Sequence, residues 1–262
     1  MEIRGKVAIV TGGGSGIGAG AAKRFAQEGA RAVVVADLNF ENAKGVADDI
    51  GAVAMRCDVS REEEIQQLVA EVDRRFGAID IFFSNAGIIG SRGGIELDNT
   101  LWQKMWDVHV MAHVWAARCV VPAMLERKEG YFVVTASAAG LLNIVESAAY
   151  GVTKHAAVGL AEWLRIAYGR RGLRVSCLCP QSVATSLAPQ RAGKSSSAID
   201  GVLSAQQVAD DLVEGMRDER FLILPHPEVA NYFAMKAHDY DRWLGGMQKL
   251  HARHVANSEG ET

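Results

Sequence analysis

The chain has 262 residues, 49% of them hydrophobic, enough to bury a substantial core as one large α/β domain or two small ones. A net charge of -3 with no Lys/Arg cluster and no basic arm argues against a nucleic-acid partner. Residues 1–6 lead straight into a strand-like run, and no apolar run approaches the ~20 residues of a bilayer-crossing helix, so no membrane partner and a cytoplasmic location are expected. Four cysteines in a chain of this length make no disulfide scaffold; Cys177 and Cys179 alternate along an apolar strand and are read as buried free thiols, with no metal site.

Residues 6–11, KVAIVT, read as a strand that stops at Gly12-Gly13-Gly14-Ser15-Gly16-Ile17-Gly18, after which 19–28 has helical composition. A glycine turn between strand and helix lets the backbone approach a pyrophosphate, whose charge the free N–H groups of the helix start receive. The next strand, 32–36, ends in Asp37, nineteen residues after Gly18, where a dinucleotide site places the acid that binds the adenosine ribose. Asp37 also repels a 2′-phosphate, and Leu38-Asn39-Phe40 brings no cation, which favours NAD over NADP. A helix over 41–49, a strand over 52–56 and a charged helix over 62–76 follow, with Ser60 and Glu63 spaced as a capping box. The strand 79–84 leads into Asn85-Ala86-Gly87. Uninterrupted βα alternation predicts a doubly wound, Rossmann-type parallel sheet of about seven strands with helices on both faces, as a single domain over 1–262. Ligands bind at the carboxyl ends of such strands, where Gly12, Asp37, Asp58, Asn85 and Ser137 all fall.

Residues 101–127 form a long apolar helix in which His109 and His113, spaced i, i+4 without an HExxH pattern, are read as packing groups. The strand 130–136 delivers Ser137, and 141–147 connects to a helix reaching about residue 170. On it Tyr150 and Lys154 stand four apart on one face, so an ammonium beside a phenol could bring Tyr150 into a range useful for proton transfer. After the strand 174–179 and Pro180, the Gly/Ser/Lys-rich stretch 186–199 reads as a lid over substrate. A helix over 205–216, a strand over 221–224 and an apolar helical tail over 226–255, packing on the domain or on another subunit, complete the chain.

These residues resemble the short-chain dehydrogenase/reductase superfamily over roughly 6–185. Thr11-Gly12-x-x-x-Gly16-x-Gly18 is similar to its cofactor turn, Cys57-Asp58-Val59 to its adenine-contacting turn, Asn85-Ala86-Gly87 to its sheet-stabilising signature, and Ser137, Tyr150 and Lys154 to its catalytic set. The resemblance implies cofactor contacts from Gly12, Ser15, Gly16, Ile17, Gly18, Asp37, Leu38, Asp58, Val59, Asn85, Ala86, Gly87, Tyr150, Lys154, Pro180, Val183 and Thr185. Two positions depart from the family pattern. His109 stands where an Asn usually holds a water behind the lysine, and Pro180-Gln181 replaces Pro-Gly.

What this implies is hydride transfer between NAD(H) and a small-molecule alcohol or ketone. Tyr150 acts as acid and base, Lys154 stabilises its phenolate, Ser137 orients the substrate oxygen, and His109 stands as a further candidate. Ile88, Ile89, Leu141, Leu142, Val145 and Leu187 are expected at the mouth, with Asn143, Glu146 or Gln181 as polar handles, so the substrate is expected to be an apolar secondary alcohol or ketone. An NADP-dependent ketoreductase and a catalytically altered NAD-binding sensor are the alternatives. The family's habit of pairing helices such as 101–127 and 149–170 implies a homotetramer or a dimer.

Overall fold

The computed structural model describes residues 1–89, 92–185 and 196–259. Its centre is a seven-stranded, wholly parallel sheet built from β1 (Val7–Thr11), β2 (Ala32–Asp37), β3 (Val53–Arg56), β4 (Ile81–Ser84), β5 (Gly130–Thr135) and β6 (Leu173–Leu178), with the late strand β9 (Leu222–Ile223) at one edge. The order β3-β2-β1-β4-β5-β6-β9 reverses direction between β1 and β4, and that crevice is where a parallel sheet receives a ligand. Registers such as Val10 opposite Val35 and Phe83, and Phe83 opposite Val133, keep the strand ends level.

β1, β4 and β5 are buried along their whole length because helices cover both faces. Side chains alternate between two cores. Ile9, Val34, Phe82 and Phe132 pack against α3 (Glu62–Phe76), α5 (Ala112–Glu126) and α7 (Ala148–Tyr168). Val10, Val35, Phe83 and Val133 pack against α1 (Gly16–Gln27), α2 (Phe40–Ile50) and α8 (Ala205–Arg217). A small parallel pair, β7 (Val183–Ala184) and β8 (Leu203–Ser204), lies beside the main sheet. The chain ends in α9 (Glu228–His238) and α10 (Tyr240–Glu259).

Four local expectations are corrected. The single helix over 101–127 is α4 (Asn99–Trp106), a π-helical turn at Asp107–Met111, and then α5. This run, Asn99–Glu126, is long and apolar enough by length and composition to cross a bilayer, contrary to the sequence reading, yet 56% of its apolar 18-residue stretch is buried inside the fold. The capping box at Ser60 does not form: the Ser60 hydroxyl donates to Asp58 at 2.7 Å, and Glu64, one turn into α3, accepts the Asp58 N–H at 2.8 Å. Asp58 captures the serine in a local turn, and Glu62, Glu63 and Glu64 at the positive end of α3 support the helix start instead. Finally, the connection after Ser137 is not all loop but holds a one-turn helix, α6 (Ala139–Leu142).

Candidate active site

At the sheet's carboxyl edge the glycine turn is held by contacts no side chain could share. Gly12 and Gly16 have φ of +63° and +53°, which only glycine adopts without strain. A Cβ on Gly18 would lie 2.1 Å from the Gly12 carbonyl oxygen, so Gly18 works by letting the turn close on α1; expected as a cofactor contact, it is not among the residues lining the cavity. Gly12, Ser15, Gly16 and Ile17 do line it. Asp37 lines the same cavity while accepting the N–H groups of Gly14 and Asn39, both at 2.9 Å, so its carboxylate is fixed by the turn it serves. Asn85 ties three strands: its amide donates to the Thr11 carbonyl at 3.0 Å and accepts from the Thr135 hydroxyl at 2.9 Å. Leu38, Asp58, Val59, Ala86, Gly87, Pro180, Val183 and Thr185 complete that end.

Ser137, Tyr150 and Lys154 line the same cavity, which measures about 820 Å³. Ser137 Oγ accepts the Ala139 N–H at 3.1 Å and reaches the Pro180 carbonyl only at 3.4 Å, a weak bond that a substrate oxygen could replace. Ser147 caps α7 and leaves Tyr150 in its first turn. Lys154, three per cent exposed, donates to the Thr135 carbonyl at 3.0 Å with its Nζ 5.7 Å from the Tyr150 ring centre. Burial pulls Lys154 down to about 8. Burial also raises the Tyr150 phenol above its ordinary value, against a hydrogen bond from Ser137 that lowers it. The lowering that the spacing suggested is not seen; desolvation carries the Tyr150 phenol upward.

His109 lies in the π-turn, fully buried, its ring edge-on to Tyr150 with centroids 5.5 Å apart. Nε2 accepts the Ile88 N–H at 3.1 Å, and Nδ1 meets the Thr153 hydroxyl at 3.0 Å. Because that hydroxyl donates to the Ala149 carbonyl at 2.8 Å, Nδ1 carries the proton, and the neutral ring is used at both nitrogens. Burial first, then Lys154, holds its pKa well below the usual imidazole range. His113, also buried, pairs with Ser84 at 2.6 Å and is pushed down to about 3 by burial and Lys154. His109 also lines the cavity, His113 does not, and among the described residues no cluster could hold a metal.

On the substrate side Ile89 and Asn143 line the cavity as expected. Leu141 does not: it packs into the core, its neighbour Leu142 takes the lining place, and Val145 is likewise absent from the wall. Leu187 and most of the expected lid at 186–199 lie outside the described residues; the described end of that stretch is held by Glu146, which accepts from Ser196 N–H and hydroxyl at 2.7 and 2.8 Å. Gln181 lines the cavity and donates through Nε2 to Asp200 at 3.0 Å. The sequence reading placed none of the tail in the site, yet Tyr232 and Met235 of α9 and Trp243, Met247 and Leu250 of α10 form a wall. The 243/247/250 spacing, one stripe of a helix, was the signal for it.

The family pattern described as short chain dehydrogenase matches residues 6–195. The chain is 35% identical over 246 residues to (+)-cis,trans-nepetalactol synthase of Nepeta racemosa, covering 87% of this chain and 90% of that one. It is 31% identical over 231 residues to a mitochondrial borneol dehydrogenase of Lavandula x intermedia, covering 86% and 88%. A short chain dehydrogenase/reductase of Burkholderia phymatum, solved in complex with NAD, superposes with a TM-score of 0.83 at 30% identity, over 92% of this chain and 96% of that one. With the strand order, the glycine turn and the Ser137, Tyr150 and Lys154 constellation in place, the chain belongs to the short-chain dehydrogenase/reductase family.

Proposed function

We propose that this oxidoreductase transfers hydride between NAD(H) and an apolar secondary alcohol or its ketone. The observation that carries this is one cavity shared by the glycine turn with Asp37 and by Ser137, Tyr150 and Lys154. The residues fit a nicotinamide dinucleotide: Gly16 has left-handed backbone at the start of α1, whose N–H groups suit a pyrophosphate, and Asp37 is an oriented acceptor for ribose hydroxyls. When bound, the dinucleotide supplies or accepts the hydride. Ser137 trades its weak bond to Pro180 for one to the substrate oxygen. Tyr150 takes the hydroxyl proton in oxidation and returns it in reduction, and the Lys154 ammonium, 5.7 Å from its ring centre, would stabilise the phenolate once it forms. The apolar side chains of Ile88, Ile89, Leu142, Met235 and Trp243 support a hydrocarbon substrate body. So does a relative named for borneol, a bicyclic alcohol.

Replacing Tyr150 by Phe should lower kcat about 10²–10⁴-fold with NAD affinity retained. Wild-type turnover in that variant on an alcohol the parent oxidises refutes the assignment. Asp37 supports NAD over NADP; Asp37→Ser should narrow the ratio of the two affinities, measured by titration calorimetry. We further propose that the chain works as a homodimer or tetramer through the outer face of α7.

A further inference from the structure

The helix α9 fully buries only Val229 and Lys236, so little apolar area fixes it to the domain. Two polar contacts do that work, and they leave from one face: Tyr232 and Lys236 stand four apart. The Tyr232 hydroxyl donates to Asp200 Oδ1 at 3.0 Å, while Asp200 Oδ2 receives the Gln181 amide at the same distance. Gln181 follows Pro180, whose carbonyl accepts from the Ala138 N–H at 2.9 Å, beside Ser137. Lys236 Nζ donates to the Leu141 carbonyl at 2.6 Å, in the turn of helix directly after Ser137. It also sits 5.4 Å from the centre of the Tyr240 ring and 3.5 Å from His155 Nε2, with no carboxylate partner among the described residues. A lysine seven per cent exposed without a counter-ion is costly to hold in place, which an anchor of purely structural packing would avoid by being apolar.

The Lys236 contact ends on the turn of helix after Ser137, and the Tyr232 contact reaches the Pro180 turn through Asp200 and Gln181; between them they carry Met235 and, through the following helix, Trp243 and Met247 over the cavity. We propose that Tyr232, through Asp200, and Lys236, through the Leu141 carbonyl, are positioning residues that set the size of alcohol this enzyme accepts. They hold the C-terminal wall where a bulky, multi-ring alcohol rests on it, whereas a small alcohol is held by Ser137 and Tyr150 alone. This inference rests on the dehydrogenase reading for its substrate. It differs from that reading in needing no group that touches the reacting atoms.

The test uses the full chain with saturating NAD and compares cyclohexanol with a steroid-sized secondary alcohol. Asp200→Asn and Lys236→Met should each raise KM for the large alcohol about tenfold, the loss of roughly one hydrogen bond. Values of kcat for both alcohols, KM for cyclohexanol and the NAD dissociation constant should stay within about twofold, a range set by the same arithmetic. Equal shifts for the two alcohols, or none, overturn the proposal. Hydrogen exchange gives a readout independent of turnover: amides of 228–259 should exchange faster in Tyr232→Phe, which removes a single oxygen, while those of α1 and α7 keep their protection. Unchanged exchange there sinks the latch even if the wild type oxidises neither alcohol, a result that would count against the dehydrogenase reading instead.

Discussion

Lys154 is a charge held where water cannot reach it, and its free energy can be followed with pH. Folding lowers its pKa from 10.5 to about 8, so between those values the unfolded chain holds a proton that the folded one has lost. Stability from this group therefore rises with pH across that window; the cost is complete below about 8 and vanishes above 10.5. Two and a half pKa units correspond to on the order of 3 kcal/mol. Lys154→Met should raise Tm at pH 7 by several degrees while abolishing turnover, and the gain should shrink toward pH 10 in calorimetric scans. His113 gives the opposite limb. Its folded pKa falls from 6.5 to about 3, so below 6.5 the unfolded chain gains a proton that the native one refuses, and stability falls with acid. His113→Gln should move the acid-unfolding midpoint to lower pH. That Tyr150 and Lys154 share a face was legible from spacing because a helix fixes i, i+4 neighbours, and Ser137 from its place at the end of an apolar strand and in the family pattern. The direction of the Tyr150 shift was not, since desolvation depends on what the tertiary fold packs around the ring.

Elements were legible where one physical signal dominated. The strands 32–36 and 130–136 are unbroken apolar runs bounded by turn residues, and β2 and β5 fall within a residue or so of them. The π-turn had no such signal: an i+5 bond inserts one residue without changing composition, and here it turns His109 inward to meet both Ile88 and Thr153. Capping at Ser60 failed because two turns competed for one hydroxyl. Glycines test the same idea. Gly18→Ala puts a methyl 2.1 Å from the Gly12 carbonyl oxygen, so turn and helix must part, and both Tm and NAD affinity should drop sharply. Gly45, inside α2, meets nothing within 4 Å of an added Cβ, and Gly45→Ala should stabilise by about 0.5–1 kcal/mol with NAD affinity unchanged. A denaturant series on the two variants separates a glycine required by close approach from one that is merely tolerated.

At the scale of the whole molecule, sheet order follows from βα alternation, but which surfaces meet a partner depends on area left uncovered. Helix α7 turns Tyr150 and Lys154 toward the cavity and leaves Val152, Trp163 and Ile166 on the opposite side, 48%, 55% and 81% exposed. With Gly159 between them these positions lie along one stripe, apolar where a solvated helix face would carry charge. Gly159 has open space around its missing Cβ, which lets a second helix approach closely. The proposed twofold pairing of α7 with its copy would bury the stripe against itself and stiffen the helix that carries Tyr150 and Lys154. Light scattering should therefore give a mass at or above twice 28.2 kDa. The double change Trp163→Glu and Ile166→Glu, which places like charges across the twofold, should halve that mass and blunt turnover through a less ordered α7. A wild-type monomer, or a double variant of unchanged mass and unchanged activity, removes α7 as the interface.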